Sequence, residues 1–142
     1  MKIIKSLMPY IIIIIVVILV RTFIATPVRV NGSSMYPTLK GNEIMLLNKL
    51  GQIKRIIGLP GETVEIKDND IYINDKKIED KYGYGVTYNI DKVTLKKDEY
   101  FILGDNRKIS LDSRVFGTIH KDEIKGTTDF IMYPFKSFGK VK

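Results

Sequence analysis

The chain has no cysteine, and among its 142 residues there is a single histidine, His120. The first absence excludes disulfide frameworks, thiolate metal sites and thiol catalysis. The second leaves any Ser-His-Asp arrangement with one candidate base, and that residue sits in the polar stretch GTIHKDEI, where a solvated surface position is expected. Acidic residues are also outnumbered, 16 against 23 Lys and Arg, for a formal charge of +7. Such a surplus suits an anionic membrane surface or nucleic acid without choosing between them.

What is present at the N-terminus does choose. Leu7 to Val20 is uncharged and almost wholly Ile, Val and Leu, and the apolar character resumes past Arg21 as far as Ala25. That length is close to the ~20 residues a bilayer-spanning helix needs. Phe23 is bulky at the −3 position of a cleavage after Ala25, and Pro27 follows closely. An uncleaved signal-anchor over residues 1–26 is therefore expected rather than a removed signal peptide. Lys2 and Lys5 favour a cytoplasmic N-terminus, weakly opposed by Arg21 and Arg29. Residues 27–142 would then form one extracytoplasmic domain at the membrane surface.

That domain reads as mainly β, in short strands broken by turn signals. Strands are expected at Pro27 to Asn31, Glu43 to Asn48, Ile53 to Ile57 and Glu99 to Leu103. Thr63 to Lys67 and Ile71 to Asn74 pattern as a hairpin across Asp68-Asn69-Asp70, with Lys76 to Ile78 continuing after a turn. Gly58-Leu59-Pro60-Gly61 reads as a turn, and Lys121 to Lys125 as a helical turn. Tyr82 to Tyr88 is either a glycine-loosened strand or a loop.

Three stretches carry candidate chemistry. In VNGSSMYPTL, Asn31-Gly32 favours a turn and Pro37 cannot donate to a sheet ladder. Ser33 or Ser34 there is either a turn hydroxyl bonding its own backbone or an exposed nucleophile. In IKRII, Lys54 lies among isoleucines, unlike the chain's other lysines in polar runs. It is either an edge lysine reaching water or a base kept neutral by desolvation. In GDNRKISLDSR, Asp105, Asn106 and Asp112 invite a calcium loop, which fails because the sixth position is not glycine and Arg107 and Lys108 intrude. A polar turn whose carboxylates pair with arginines fits better.

SSMYPTL, KRIIGLPGET and GDNRKISLDSRVFG, in that order behind an apolar N-terminus and with YPF near the end, resemble the bacterial type I signal peptidases. The single anchor resembles the Gram-positive form. The resemblance implies an antiparallel-sheet catalytic domain and a serine endopeptidase that removes signal peptides from exported preproteins, with no cofactor and no metal. It implies Ser34 as nucleophile, Lys54 as general base, and Ser110 as the group orienting the lysine amine. Asp105 and Asp112 match structural carboxylates with Arg55 and Arg114 as ion-pair partners, and Met35 packs beside the nucleophile. The oxyanion hole would use the Ser34 N–H, with Gly32 standing where some relatives place a further hydroxyl. Implied partners are preprotein signal peptides and membrane lipid; the secretion machinery is left open, and no nucleic-acid platform is recognisable.

Only nineteen residues, Met35 to Ile53, separate serine from lysine, fewer than in the family resembled. The part missing corresponds to a strand of Arg-Gly-Asp-(Ile/Val) signature and the loop after it. If tight turns at 40–42 and 49–52 join a simple meander, a strand carrying Leu47 lies between Met35 and Lys54. The flanking backbones would then be roughly 10 Å apart. That spacing motivates the alternative of a catalytically impaired accessory relative that binds exported or surface proteins.

Overall fold

The computed structural model describes residues 2–23, 26–47 and 52–141. Helix α1 (Lys2–Phe23) contains Pro9. The side chains described on it, residues 7–19, are all exposed. That stretch is about 20 Å long at 1.5 Å per residue, and among the described residues no helix is long and apolar enough to cross a membrane.

The remainder is mainly antiparallel β. Strand β1 (Thr26–Arg29) pairs with β2 (Ile44–Leu47), Thr26 opposite Leu47 and Arg29 opposite Ile44. On its other edge β2 pairs with β10 (Phe130–Tyr133), which pairs with β11 (Gly139–Lys140). A second sheet has the order β3 (Arg55–Gly58), β8 (Glu99–Leu103), β9 (Ile119–His120). A third joins β6 (Lys76–Ile78), β5 (Asp70–Ile73), β4 (Thr63–Lys67) and β7 (Ile90–Thr94).

The β4–β5 hairpin forms as its sequence suggests. Asp68 and Asn69 have φ of 51° and 71°, the left-handed geometry a two-residue hairpin turn requires. Asn74 and Asp75, at 50° and 64°, repeat the device between β5 and β6. Alternation along β4 buries Val64 and Ile66, which join Ile71, Leu95, Phe101 and Leu103 in one core cluster. Val30, Met35, Leu39, Met45 and Ile131 form another beside the first sheet. Each such aliphatic side chain contributes roughly 1.5–3 kcal/mol on full burial.

Several expectations are corrected. Strands β2 and β3 are not neighbours: β2 lies between β1 and β10, and β3 pairs with β8. The simple meander is therefore absent. The second supposed turn falls at 49–52, and of it residues 49–51 lie outside the described residues. Gly58 closes β3 rather than opening a turn, and the reversal is at Pro60-Gly61. Lys54 precedes β3 instead of lying within it, because its neighbour Arg55 is the first residue paired to β8. Tyr82 to Tyr88 is loop, touching the ladder only where Tyr84 bridges Asn106.

Candidate active site

Ser34 sits in an irregular turn pinned at both ends. Val30 N–H donates to Glu43 O at 2.8 Å and Asn42 N–H to Val30 O at 3.0 Å, closing the base of the turn. Within it, Leu39 N–H reaches Met35 O at 2.8 Å. Met35 and Leu39 are buried and anchor the turn on the core. Gly32 takes φ of +88°, which a side chain would disfavour. Ser34, half-buried, is thus held off any ladder, and its carbonyl accepts from Asn106 N–H at 2.8 Å.

Lys54 reaches the same place from the start of β3. Its Nζ donates to Ser110 Oγ at 2.7 Å. Burial pushes the amine below its ordinary value of 10.5; Asp112 opposes this and Arg114 adds to it. Ser34 and Lys54 line one cleft of about 540 Å³ with Val30, Met35, Ile53 and Ile109. Among the described residues no hydrogen bond joins Ser34 to Lys54 directly.

The turn after β8 holds this arrangement. Arg55 donates through Nε and Nη2 to both oxygens of Asp105, at 2.8 and 2.7 Å, while Tyr82 stacks on its guanidinium at 3.7 Å. The pairing with buried Asp105 raises the Arg55 pKa. Asp112 caps the short helix α2 (Ser113–Phe116), accepting from Gly104 N–H at 3.0 Å and from Arg114 Nε and Nη2 at 2.8 Å each. Burial raises the Asp112 pKa, but hydrogen bonds from Arg114, Gly104 and Ser110 outweigh it and hold the carboxyl below 3.8. A Cβ on Gly104 would lie 2.0 Å from Ser110 Oγ and 2.7 Å from Ser34 O, so only glycine admits both.

The fold brings together Ser34, Met35, Gly32 and Lys54 along one cleft, with Ser110 bonded to the lysine. It places Arg55 on Asp105 and Arg114 on Asp112. His120 lies on β9 with its side chain 60% exposed and does not line this cleft. Sequence reasoning missed Arg107, treated there only as a cation spoiling a calcium loop. It is fully buried, donating to Gly104 O at 3.0 Å, Thr87 Oγ1 at 3.0 Å and Asp80 Oδ1 at 2.9 Å. An arginine among carboxylates and glycines was the available signal; its partner, 27 residues away, had none.

Comparison with known proteins shows the family of the chain. The family described as signal peptidase, peptidase S26, matches residues 3–52 and 48–133. Signal peptidase I of Bacillus amyloliquefaciens is 37% identical over 164 aligned positions, covering 93% of this chain and 89% of the relative. Signal peptidase I T of Bacillus subtilis is 36% identical, covering 88% and 82%. Signal peptidase IB of Staphylococcus aureus is 33% identical, covering 87% and 86%. A crystal structure of a signal peptidase I from Enterococcus faecalis is 31% identical, covering 63% of this chain and 97% of that one at a TM-score of 0.48. The first alignment is longer than the chain's 142 residues, so that relative carries residues this chain lacks. The two family matches meet at 48–52, between serine and lysine. The chain belongs to the signal peptidase S26 family, among the bacterial type I signal peptidases, and is a peptide-bond hydrolase.

Proposed function

We propose that the chain is a membrane-anchored serine endopeptidase that cleaves N-terminal signal peptides from exported preproteins with a Ser34–Lys54 dyad. The observation that carries this is the desolvated Lys54 amine bonded to Ser110 in the cleft that holds Ser34. A neutral amine has two N–H groups and one lone pair. With one N–H spent on Ser110, the lone pair remains to accept the Ser34 hydroxyl proton.

Ser34 Oγ then attacks the carbonyl carbon of the signal peptide's last residue. The Ser34 N–H, which has no backbone acceptor among the described residues, is free to stabilise the oxyanion. The Lys54 ammonium gives its proton to the departing amine, leaving an acyl-enzyme. Lys54 next takes a proton from water as its oxygen adds to the acyl carbon, the ester bond to Ser34 Oγ breaks, and the Lys54 ammonium returns its proton to Ser34 Oγ. The substrate binds extended beside the segments leading into Ser34 and Lys54.

Residues 1–26 supply the anchor and 27–142 the extracytoplasmic domain. Leu7 to Leu19 is an apolar run exposed around α1, which suits lipid better than water. The anchor confines enzyme and substrate to one surface and raises their effective concentration.

Purified in detergent, the chain should cleave a preprotein while Ser34→Ala and Lys54→Ala fall to background. Equal activity in all three would overturn the dyad. Alkaline extraction should leave the full chain in the membrane pellet, and its release would overturn the anchor. The shortened serine-to-lysine segment favours one second reading, a binding relative without catalysis. An acylating probe that labels Ser34 excludes it.

A further inference from the structure

The loop Glu79 to Asn89 joins β6 to β7, two strands of the third sheet, yet its middle lies against the Ser34 site. Its far end is tethered to the β4–β5 turn, where Thr87 N–H donates to Asn69 Oδ1 at 2.6 Å and Asn89 Oδ1 accepts from Asp68 N–H at 3.0 Å. Between its ends the loop touches three parts of the site. Tyr82 covers the guanidinium of Arg55, the neighbour of Lys54 in sequence. Tyr84 meets the ring of Tyr36, on the Ser34 turn, edge-on with centroids 5.9 Å apart. Tyr84 N–H also donates to Asp105 O at 2.7 Å, and Tyr84 O accepts from Arg107 N–H at 2.9 Å. Those two bonds bracket Asn106, whose N–H holds the Ser34 carbonyl and whose carbonyl accepts from Ser110 N–H at 3.0 Å.

One ion pair fastens this strap. The buried Arg107 guanidinium donates through Nη2 to Asp80 Oδ1 at 2.9 Å and through Nη1 to Asp80 Oδ2. Gly83 leaves room for the pair, because a Cβ there would press on Asp80 Oδ2 and lie 2.8 Å from Arg107 Nη1. The pairs Arg55–Asp105 and Arg114–Asp112 draw their carboxylates from the turn after β8 itself. Asp80 instead comes from the strap, 27 residues away. A buried guanidinium that loses its counter-charge must move towards water or draw water in. Either response displaces the turn 104–110, which carries both Asn106 and Ser110.

We infer that Asp80 is a positioning residue for the reaction: through Arg107 it clamps the strap onto turn 104–110, fixing Ser34 by way of Asn106 and the Lys54 amine by way of Ser110. The inference rests on the peptidase reading for its effect on rate. A clamp that served stability alone would leave the amine and the turnover of the folded molecule unchanged, and the test separates these.

Asp80→Asn keeps the shape of the side chain and removes its charge. The full chain in detergent, made with isotope-labelled lysine, is titrated by NMR, and Lys54 is assigned as the signal that Lys54→Met removes. In Asp80→Asn the Lys54 midpoint should rise towards 10.5, because a loosened turn lets water reach the amine. Turnover of a preprotein should fall in kcat by about 10- to 100-fold with KM nearly unchanged. Asp80→Glu, which keeps the charge, should recover most of that loss. Gly83→Ala keeps both charges but forces them apart, and should move both readouts in the direction of Asp80→Asn. Thermal unfolding identifies a variant that fails to fold, and the other then decides. A folded variant whose Lys54 titrates as in the unsubstituted chain overturns the inference. So does an unfolding midpoint that drops while kcat holds. Where the unsubstituted chain itself fails to cleave, the peptidase reading falls, and the lysine titration still decides the role of Asp80.

Discussion

Lys54 Nζ and Ser110 Oγ, 56 residues apart in sequence, are joined by a 2.7 Å hydrogen bond. The bond couples the start of β3 to the turn after β8, and Asp112 extends the chain of contacts to Arg114. Ser110 receives the lysine's N–H, so its hydroxyl is held against the amine. The amine is thereby positioned as well as desolvated, as the proposed role of base requires.

The first consequence is a pH dependence. On the proposed mechanism cleavage needs neutral Lys54, and burial lowers its pKa from 10.5. On the proposed mechanism kcat/KM should rise with pH, with a midpoint below 10.5 in the free enzyme. Measuring kcat/KM across pH 5 to 10 at constant ionic strength, as about half-unit steps, checks this. A profile flat over that range contradicts a titrating lysine base.

The same shift has an energetic side. Because the folded-state pKa is lowered, the charged amine is disfavoured in the fold, and the penalty is full at pH values below the folded pKa. It fades as pH rises through that value towards 10.5, where folded and unfolded chains alike become neutral. Lys54→Met should therefore abolish cleavage while raising the unfolding midpoint near neutral pH. The gain should shrink at high pH. Urea titrations at both ends of the range measure it, and a destabilised Met variant would refute the account.

Much of the fold was legible because its signals are local. The β4–β5–β6 meander is written in two Asp/Asn turns and alternating apolar residues, and β8 matches its expected bounds. The missed β7, IDKVT, carries only two apolar residues and exists through its pairing with β4. The β2–β3 adjacency failed for a related reason. Sequence proximity suggested a meander, whereas β2 finds β10 from the other end of the chain. At the site, the residue types and their order were readable, and the wiring through Gly104, Asn106 and Arg107 was not. Those contacts are made by backbone groups and by an arginine whose partners lie in an irregular loop.

Ser110→Ala removes the acceptor that holds the lysine without altering the lining of the Ser34 cleft, where the proposed mechanism places the substrate. The expected effect is a fall in kcat of about 10²-fold or more, with KM nearly unchanged. Steady-state kinetics separate the two parameters. A change confined to KM would assign Ser110 to substrate binding instead.

Gly104→Ala tests the close approach from the other side. Its added Cβ would press on Ser110 Oγ at 2.0 Å and on the Ser34 carbonyl at 2.7 Å. The second contact is backbone and has little room to yield. Overpacking of this kind costs about 1–3 kcal/mol. Both the unfolding midpoint and kcat should drop, since relief moves either Ser110 or the Ser34 turn. A variant with unaltered stability and activity would show the approach to be looser than described.

Asp112→Asn separates structure from chemistry by pH. The carboxylate is fully buried and held below 3.8 by Arg114, Gly104 and Ser110. Its contribution to stability is fully present above the unfolded value and is lost as pH falls through the lower folded one. Near neutral pH the Asn variant should be less stable by roughly 3–5 kcal/mol, because the nearly buried Arg114 guanidinium loses its counter-charge. Below about pH 3.8 the two proteins should converge as the native carboxylate protonates. Denaturant unfolding of both chains at neutral and acid pH gives the difference directly. A gap that stays constant with pH would mean that the charge on Asp112 does not hold this turn together.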